Sequence, residues 1–300
     1  IAIVAYQLAL QVFTRDAFED SNGDANVVYP LLEQNLEKLD GNLVQTLQTW
    51  ATQALRESED KECIAVVIFQ FGNLIQQFPL GSRADNLEIA IVAYQLALQV
   101  FTRDAFPQEW AGTQNNLGEA YRKRIKGERG ENLELAIAAY NEALQVYTRD
   151  ALPQKWAATQ HNLGAAYSDR IQGERRENLE DAIAAYNEAL QVRTRDAFPE
   201  QWATTQVGLG TAYCDRIQGE RGENLERAID YFKEALQVRT RDAFPQEWAM
   251  TQNNLGTAYC DRIQGEKADN LERAIAAYKE ALQVRTRDAF PQEWAMTQNN

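Results

Sequence analysis

Hydrophobic and polar positions along the 300-residue chain alternate with helical, not strand, periods, and they do so in a repeating frame. In the stretch 267–282, Leu271, Ala274, Ile275, Tyr278, Ala281 and Leu282 fall at i, i+3, i+4, i+7, i+10 and i+11, one apolar stripe along a helix. Ahead of it, Trp248 to Tyr259 reads W-A-x-T-Q-x-x-L-G-x-A-Y, a second helical pattern. The pair of patterns begins at Ala105, Ala151, Ala197 and Ala243 and starts once more at Ala289, each step being 46 residues. AFPQEWAMTQNN stands unchanged at 243–254 and 289–300.

Punctuation residues occupy fixed places in this frame. Pro107, Pro153, Pro199, Pro245 and Pro291 predict helix starts, where a missing N–H costs nothing. Between the two helices lie Gly127–Asn132, Gly173–Asn178, Gly219–Asn224 and Gly265–Asn270. The glycine is expected to close the first helix in a left-handed conformation. The asparagine is expected to cap the second, with glutamate in its first turn. A hairpin of this size cannot bury its own stripe, whereas stacked neighbours can. The fold class this predicts is all-α, an α-solenoid of helical hairpins.

The same frame resolves a misleading segment. IAVVIFQFGNLI at 64–75 has a strand-like composition. Yet Phe71-Gly72 lies 46 residues before Leu117-Gly118, and Asn86-Leu87 lies 46 before Asn132-Leu133. Residues 64–78 are therefore read as a degenerate first helix, with Ile64 in the place of Trp110. Upstream, VVYPLLEQNLEKLD and GNLVQTLQTWATQALRES read as a further helix pair lacking the motif. The expected organisation is a duplicated second-helix segment at 1–18, identical to 89–106, then an acidic N-terminal cap at 19–58. A degenerate repeat follows at 59–104, four full repeats at 105–288, and a truncated first helix at 289–300, as in a fragment of a longer array.

Net charge is −14, concentrated upstream: residues 16–62 hold eleven acids and three bases, while copy 243–288 holds seven and six. Without a basic stripe, phosphate backbones are repelled, so nucleic acid is not expected as a partner. No apolar run is long enough to cross a bilayer, so no membrane role is expected either. Cys63, Cys214 and Cys260 lack paired spacing and suit a reducing, cytoplasmic setting.

L-G-x-A-Y followed by A-x-x-x-[YF]-x-x-A resembles the tetratricopeptide repeat (TPR) family. In copy 243–288 the signature positions fall on Leu255, Gly256, Tyr259, Ala274, Tyr278 and Ala281, and the likeness extends over about 60–300. The usual unit is about 34 residues. Here Tyr259 to Ala274 is longer by six, another six separate the copies, and the tryptophan stands four residues earlier than the family's aromatic. The long units are similar to TPR regions of cyanobacterial proteins that often carry a caspase-like CHAT peptidase domain. The resemblance implies a right-handed superhelix whose first helices line a concave groove that captures a protein or peptide.

Counted from the Leu of each L-G pair, the groove places implied by the family lie five, two and one before it and two, five and six after. From Trp to the closing Ile, the four copies differ at those six places and nowhere else. That variation reads either as the encoding of a partner or as drift at exposed positions. The candidate partner-binding residues are Asn115, Asn116, Glu119, Arg122 and Lys123; His161, Asn162, Ser168 and Asp169; Thr211, Cys214 and Asp215; and Asn253, Asn254, Thr257, Cys260 and Asp261. The amides suit a peptide backbone, since each both donates and accepts. Arg122 and Lys123 suit an acidic group.

The remaining chemistry is sparse. His161 and Cys214 share the expected groove, but no orienting third group or oxyanion hole accompanies them, so no catalysis is expected. No C-x-x-C or histidine pair exists for a metal, and no cofactor is expected. Cys214 and Cys260 are expected as free thiols, because successive helix axes stand too far apart for a disulfide. The tryptophan series reads as core packing. The function expected is an interaction scaffold. The alternatives are a regulatory module for a caspase-like peptidase outside the segment and a self-assembling array that associates through exposed repeat ends.

Overall fold

The computed structural model describes residues 24–300, so the helix expected over 1–18 lies outside the described residues. Among the described residues there are thirteen α-helices, one 3-10 turn and no strand. The chain divides into two compact units, one ending at Ala151 and the other starting at Leu152. The first contains α1 (Ala25–Glu33), the 3-10 turn Leu36–Lys38, α2 (Gly41–Glu57), α3 (Lys61–Gln77), α4 (Arg83–Ala97), α5 (Pro107–Lys123) and α6 (Arg129–Leu144). The second contains α7 (Pro153–Asp169), α8 (Arg175–Leu190), α9 (Pro199–Asp215), α10 (Arg221–Leu236), α11 (Pro245–Asp261), α12 (Lys267–Leu282) and α13 (Pro291–Asn299).

Register overrides composition at 64–75, which is wholly within helix α3. The first helices of the four full repeats each begin on their proline, as expected from the free N–H rule. The upstream segment departs from expectation. VVYPLLEQNLEKLD is not one helix: α1 ends at Glu33, three residues past Pro30, and a short 3-10 turn follows. There the Asn35 side chain bonds back to the Leu31 carbonyl (2.9 Å), a local alternative to helix continuation.

Within each unit the two helices of a repeat pack on each other as antiparallel neighbours because the connections between them are short. In the second unit one continuous core runs through Ile183 and Tyr186, Leu209 and Tyr213, Ile229 and Phe232, and Leu255 and Tyr259. The dependence of each pair on its successor is visible in one comparison. Leu225 and Ile229 of α10 are 0% and 1% exposed, whereas their equivalents Leu271 and Ile275 of α12 are 41% and 51% exposed. The full-length α11 follows α10, but only the nine residues of α13 follow α12. Full burial of such a side chain is worth about 1.5–3 kcal/mol, so the following pair adds a substantial share to the hairpin's own apolar burial.

Two devices fix the pairs. The first is a ring against a glycine. A Cβ at Gly210 would stand 2.6 Å from Phe232 Cε1, and one at Gly256 would stand 2.6 Å from Tyr278 Cε1. Gly72 meets Tyr94, Gly118 meets Tyr140 and Gly164 meets Tyr186 in the same way. The L-G dipeptide is thus a packing requirement of the second helix's aromatic residue.

The second device is an arginine clamp. Arg216 reaches back to Glu180 of the preceding pair through Nε to Oε1 (2.7 Å) and Nη2 to Oε2 (2.8 Å). Arg262 holds Glu226, and in the first unit Arg124 holds Glu88, in the same fork. The guanidinium also stands over the neighbouring tyrosine ring, Tyr213 in the case of Arg216. Fork-to-fork pairing of this sort adds geometry as well as energy.

The loop between the helices corrects the sequence expectation. Gly219 has φ +83°, left-handed as expected, but it lies four residues past the helix end and does not close it. Helix α9 instead stops at Asp215, where Arg216 turns to an extended ψ of 127°, and Arg221 Nη1 donates to the Cys214 carbonyl at its C-terminal turn. Asn224 is not a cap either. Helix α10 starts at Arg221 behind Glu220, and Asn224 is a buried residue within it. Its amide donates to the Gln218 carbonyl (2.9 Å) and bolts the loop from inside.

Candidate functional site

The candidate residues lie on the first helices, α5, α7, α9 and α11, and the structure divides them into bonded clusters. In the first unit the face of α5 meets that of α3. Asn116 Nδ2 donates to Asn73 Oδ1 (2.8 Å), and Asn115 Nδ2 donates to Asn116 Oδ1 (3.2 Å). The Tyr94 hydroxyl lies 2.9 Å from Asn73 Oδ1 and 2.8 Å from Gln76 Oε1. Burial, aided by nearby Glu119, raises the Tyr94 pKa, so the phenol stays protonated. Glu119 pairs with Lys123 along α5 (2.5 Å), and the Arg122 carbonyl accepts from Arg129. Asn73 and Gln76 are not among the candidates that the repeat motif singles out, although they occupy the Glu119 and Arg122 places one step earlier.

In the second unit the acidic candidates are engaged. Asp215 is held by Arg175 (2.9 Å), and Asp261 by Arg221 (3.4 Å), each from the preceding pair. Asp169 is exposed at the end of α7, where the Ser168 carbonyl accepts from Arg175. Thr211 Oγ1 donates to the Val207 carbonyl (3.1 Å). Thr257 Oγ1 and Cys260 Sγ lie 3.2 and 3.8 Å from the Tyr278 hydroxyl. The Asn253 carbonyl accepts from Thr257, and its Oδ1 accepts from Asn300. Asn162 and the Asn253–Asn254 pair are not brought together: α9 stands between α7 and α11 in sequence and carries Val207 and Gly208 at the corresponding places. That glycine also has a packing reason, since a Cβ there would meet the Tyr186 ring at 2.8 Å.

His161 and Cys214 are set up differently from a nucleophile pair. The His161 ring packs on Tyr186 with centroids 5.3 Å apart, and Nδ1 lies 3.2 Å from Thr205 Oγ1. Burial pushes the Cys214 thiol up to about 12, against the partial relief of Arg221. A reactive cysteine needs the opposite shift. Iodoacetamide at pH 8 should label the exposed Cys63 and Cys260 and spare Cys214; equal labelling rates, read by peptide mass spectrometry, would contradict this burial argument.

The invariant positions are not all packing positions. Ile171, Ile217 and Ile263 are about 60% exposed, so sameness there does not reflect a shared core contact. The tryptophans are core only in part. Trp156 and Trp248 are buried, while Trp110, Trp202 and Trp294 are half-buried beneath Arg103, Arg195 and Arg287. Among the described residues no helix is long and apolar enough to cross a membrane.

A family model recognises the repeat at two places. The family model described as Tetratricopeptide repeat matches residues 156–196 and 248–288, the two segments running from Trp156 and Trp248 through the following second helix. The crystal structure of BtubC (BKLC) from P. vanneervenii is similar at 19% sequence identity and a TM-score of 0.48, covering 94% of this chain and 89% of that one. No curated protein matches the sequence. The chain is a helical repeat protein, and its units at 156–196 and 248–288 are matched by the tetratricopeptide repeat family.

Proposed function

We propose that the protein is an interaction scaffold that holds an extended peptide or protein segment on the polar face of its first helices. Repeats of this type generally serve protein interactions. The observation that carries the reading is the amide cluster of the first unit. Asn73, Gln76, Asn115 and Asn116 lie on adjoining helices, are bonded to one another or to Tyr94, and are all at least partly solvent-accessible except Gln76. Such a cluster presents donors and acceptors at fixed positions to a peptide backbone, which needs both. Between the tryptophan and the closing isoleucine of each copy, sequence variation falls only on this face, which supports the reading.

Selection from a displayed peptide library tests it. Peptides enriched on the wild-type protein should bind the double variant Asn115→Ala/Asn116→Ala at least about tenfold more weakly, the loss of one or two well-formed hydrogen bonds. The melting temperature should stay nearly constant, because both side chains are partly solvated. Enrichment of no peptide, or equal binding by the variant, would reject the assignment.

A further inference from the structure

A second site emerges from comparing three copies of one arginine. Arg193, Arg239 and Arg285 follow α8, α10 and α12 at 46-residue intervals, and each points its Nη1 at a threonine of the next first helix: Thr205 (3.2 Å), Thr251 (3.3 Å) and Thr297 (3.1 Å). Their surroundings differ in charge. Beside Arg285 is a cavity of about 250 Å³ whose walls include Gln246, Glu247, Met250 and Glu293. Around Arg239, Glu247 and Glu200 supply negative charge, and Thr204 Oγ1 accepts from Nη2 (2.9 Å).

Arg193 has neither device. Its cavity, about 220 Å³, is formed by Gln154 and Ala158 of α7, Val192, Arg193 and Phe198 of the connection, and Gln201 of α9. In the 92-residue register with the Arg285 cavity, Glu293 is replaced by Gln201 and Glu247 by Lys155. In the 46-residue register with Arg239, Thr204 is replaced by Ala158. Among the described residues the Arg193 guanidinium makes one hydrogen bond, to Thr205. Its pKa is pushed down to about 10 by burial alone, whereas carboxylates oppose the same desolvation at Arg239 and Arg285.

We infer that the Arg193 cavity binds a carboxylate carried on a short aliphatic arm, which takes the place that glutamate occupies in the sister copies. The guanidinium offers a planar fork matched to a carboxylate. Gln154 and Gln201 add neutral donors, and Ala158, Val192 and Phe198 line the wall where the methylene stem would lie. The volume is below the roughly 300 Å³ at which drug-sized ligand pockets begin, so it suits one acidic side chain or a small acid. The site touches the first-helix face only at Ala158 and does not depend on the amide cluster.

The experiment is an NMR titration with n-butyrate and, separately, with the capped tripeptide acetyl-Gly-Glu-Gly-amide, using butyramide as the neutral control. Both acids should shift the Arg193 Nε–Hε signal and the Ala158 and Gln201 amides saturably, and butyramide should not. Tighter binding of the tripeptide identifies a protein side chain as the source; tighter binding of butyrate identifies a free acid. Arg193→Gln should weaken either acid at least about tenfold, the loss of a charged hydrogen-bonding partner. Gln201→Glu, which installs the sister copies' own residue, should weaken binding likewise without lowering the melting temperature. Asn115→Ala/Asn116→Ala should titrate as wild type, so that failure here and failure of the groove reading are told apart. No saturable shift, equal titration of butyramide, or wild-type titration of Arg193→Gln or Gln201→Glu would overturn the assignment.

Discussion

Gly210→Ala should destabilise the second unit by about 2 kcal/mol, although alanine is intrinsically the better helix former by about 1 kcal/mol. The new methyl would sit 2.6, 2.8 and 2.9 Å from Cε1, Cδ1 and Cζ of Phe232. Carbon atoms pack best at about 3.5–4.0 Å, so either the ring or the helix must retreat by about 1 Å. Phe232 is 1% exposed and enclosed by the core that joins α9, α10 and α11, which leaves it nowhere to go. Overpacking of that kind costs about 1–3 kcal/mol and sometimes more, enough to outweigh the helical gain. Gly222→Ala is the matching control. It is also helical, its nearest non-local atom is 3.8 Å away in Gln264, and the corresponding residue of α12 is Ala268. That change should be neutral or stabilising by about 0.5 kcal/mol. Because stacked hairpins lose stability locally first, hydrogen exchange of the α9 and α10 amides is the sensitive measurement. Protection in Gly210→Ala equal to wild type would show that the ring yields and that the L-G glycine has another cause.

The contrast between those two glycines shows what sequence makes legible. Periodicity, proline and the 46-residue frame define each hairpin, because a repeated interface must repeat its residues. This frame correctly makes IAVVIFQFGNLI a helix against its composition. It fails at VVYPLLEQNLEKLD, which has no copy to compare with and is broken by a proline and a backbone-bonding asparagine. The frame also cannot say which partner an invariant residue has. Asn224 looks like a cap because it stands near a helix start, yet its role depends on the path of the preceding loop. Ile217 is identical in all four full copies and is nevertheless exposed. Within the candidate site, variation among copies shows which residues differ, but Asp215 and Asp261 look available until the arginine of the neighbouring pair is placed beside them. The charge change around Arg193 is written in the sequence as PEQW against PQEW, but it has no meaning until both residues line the same type of cavity.

The asparagine bolt sets the other large expectation. Asn224→Leu keeps the side chain's branched shape and heavy-atom count and should cost about 1–3 kcal/mol, the range for removing a buried polar partner and stranding the groups it satisfied. Asn224 is 2% exposed. Its Nδ2 donates to the Gln218 carbonyl at 2.9 Å and lies 3.4 Å from the Arg216 carbonyl, while its Oδ1 accepts from Arg216 Nη1 at 3.3 Å. Leucine would leave the Gln218 carbonyl facing a methyl group and would remove the acceptor that steadies the guanidinium. Arg216 would keep both bonds to Glu180, from Nε and Nη2, but lose the anchor of its Nη1, so the damage should reach the contact between successive pairs. A double-mutant cycle with Arg216→Met measures that coupling. If the two residues act as one clamp, the pair of changes should cost less than the sum of the single changes by at least about 1 kcal/mol. Strict additivity in urea unfolding would mean that the loop bolt and the inter-pair clamp are independent, and that the Tyr–Arg–Glu–Asn grouping has no cooperative role in stacking one hairpin on the next.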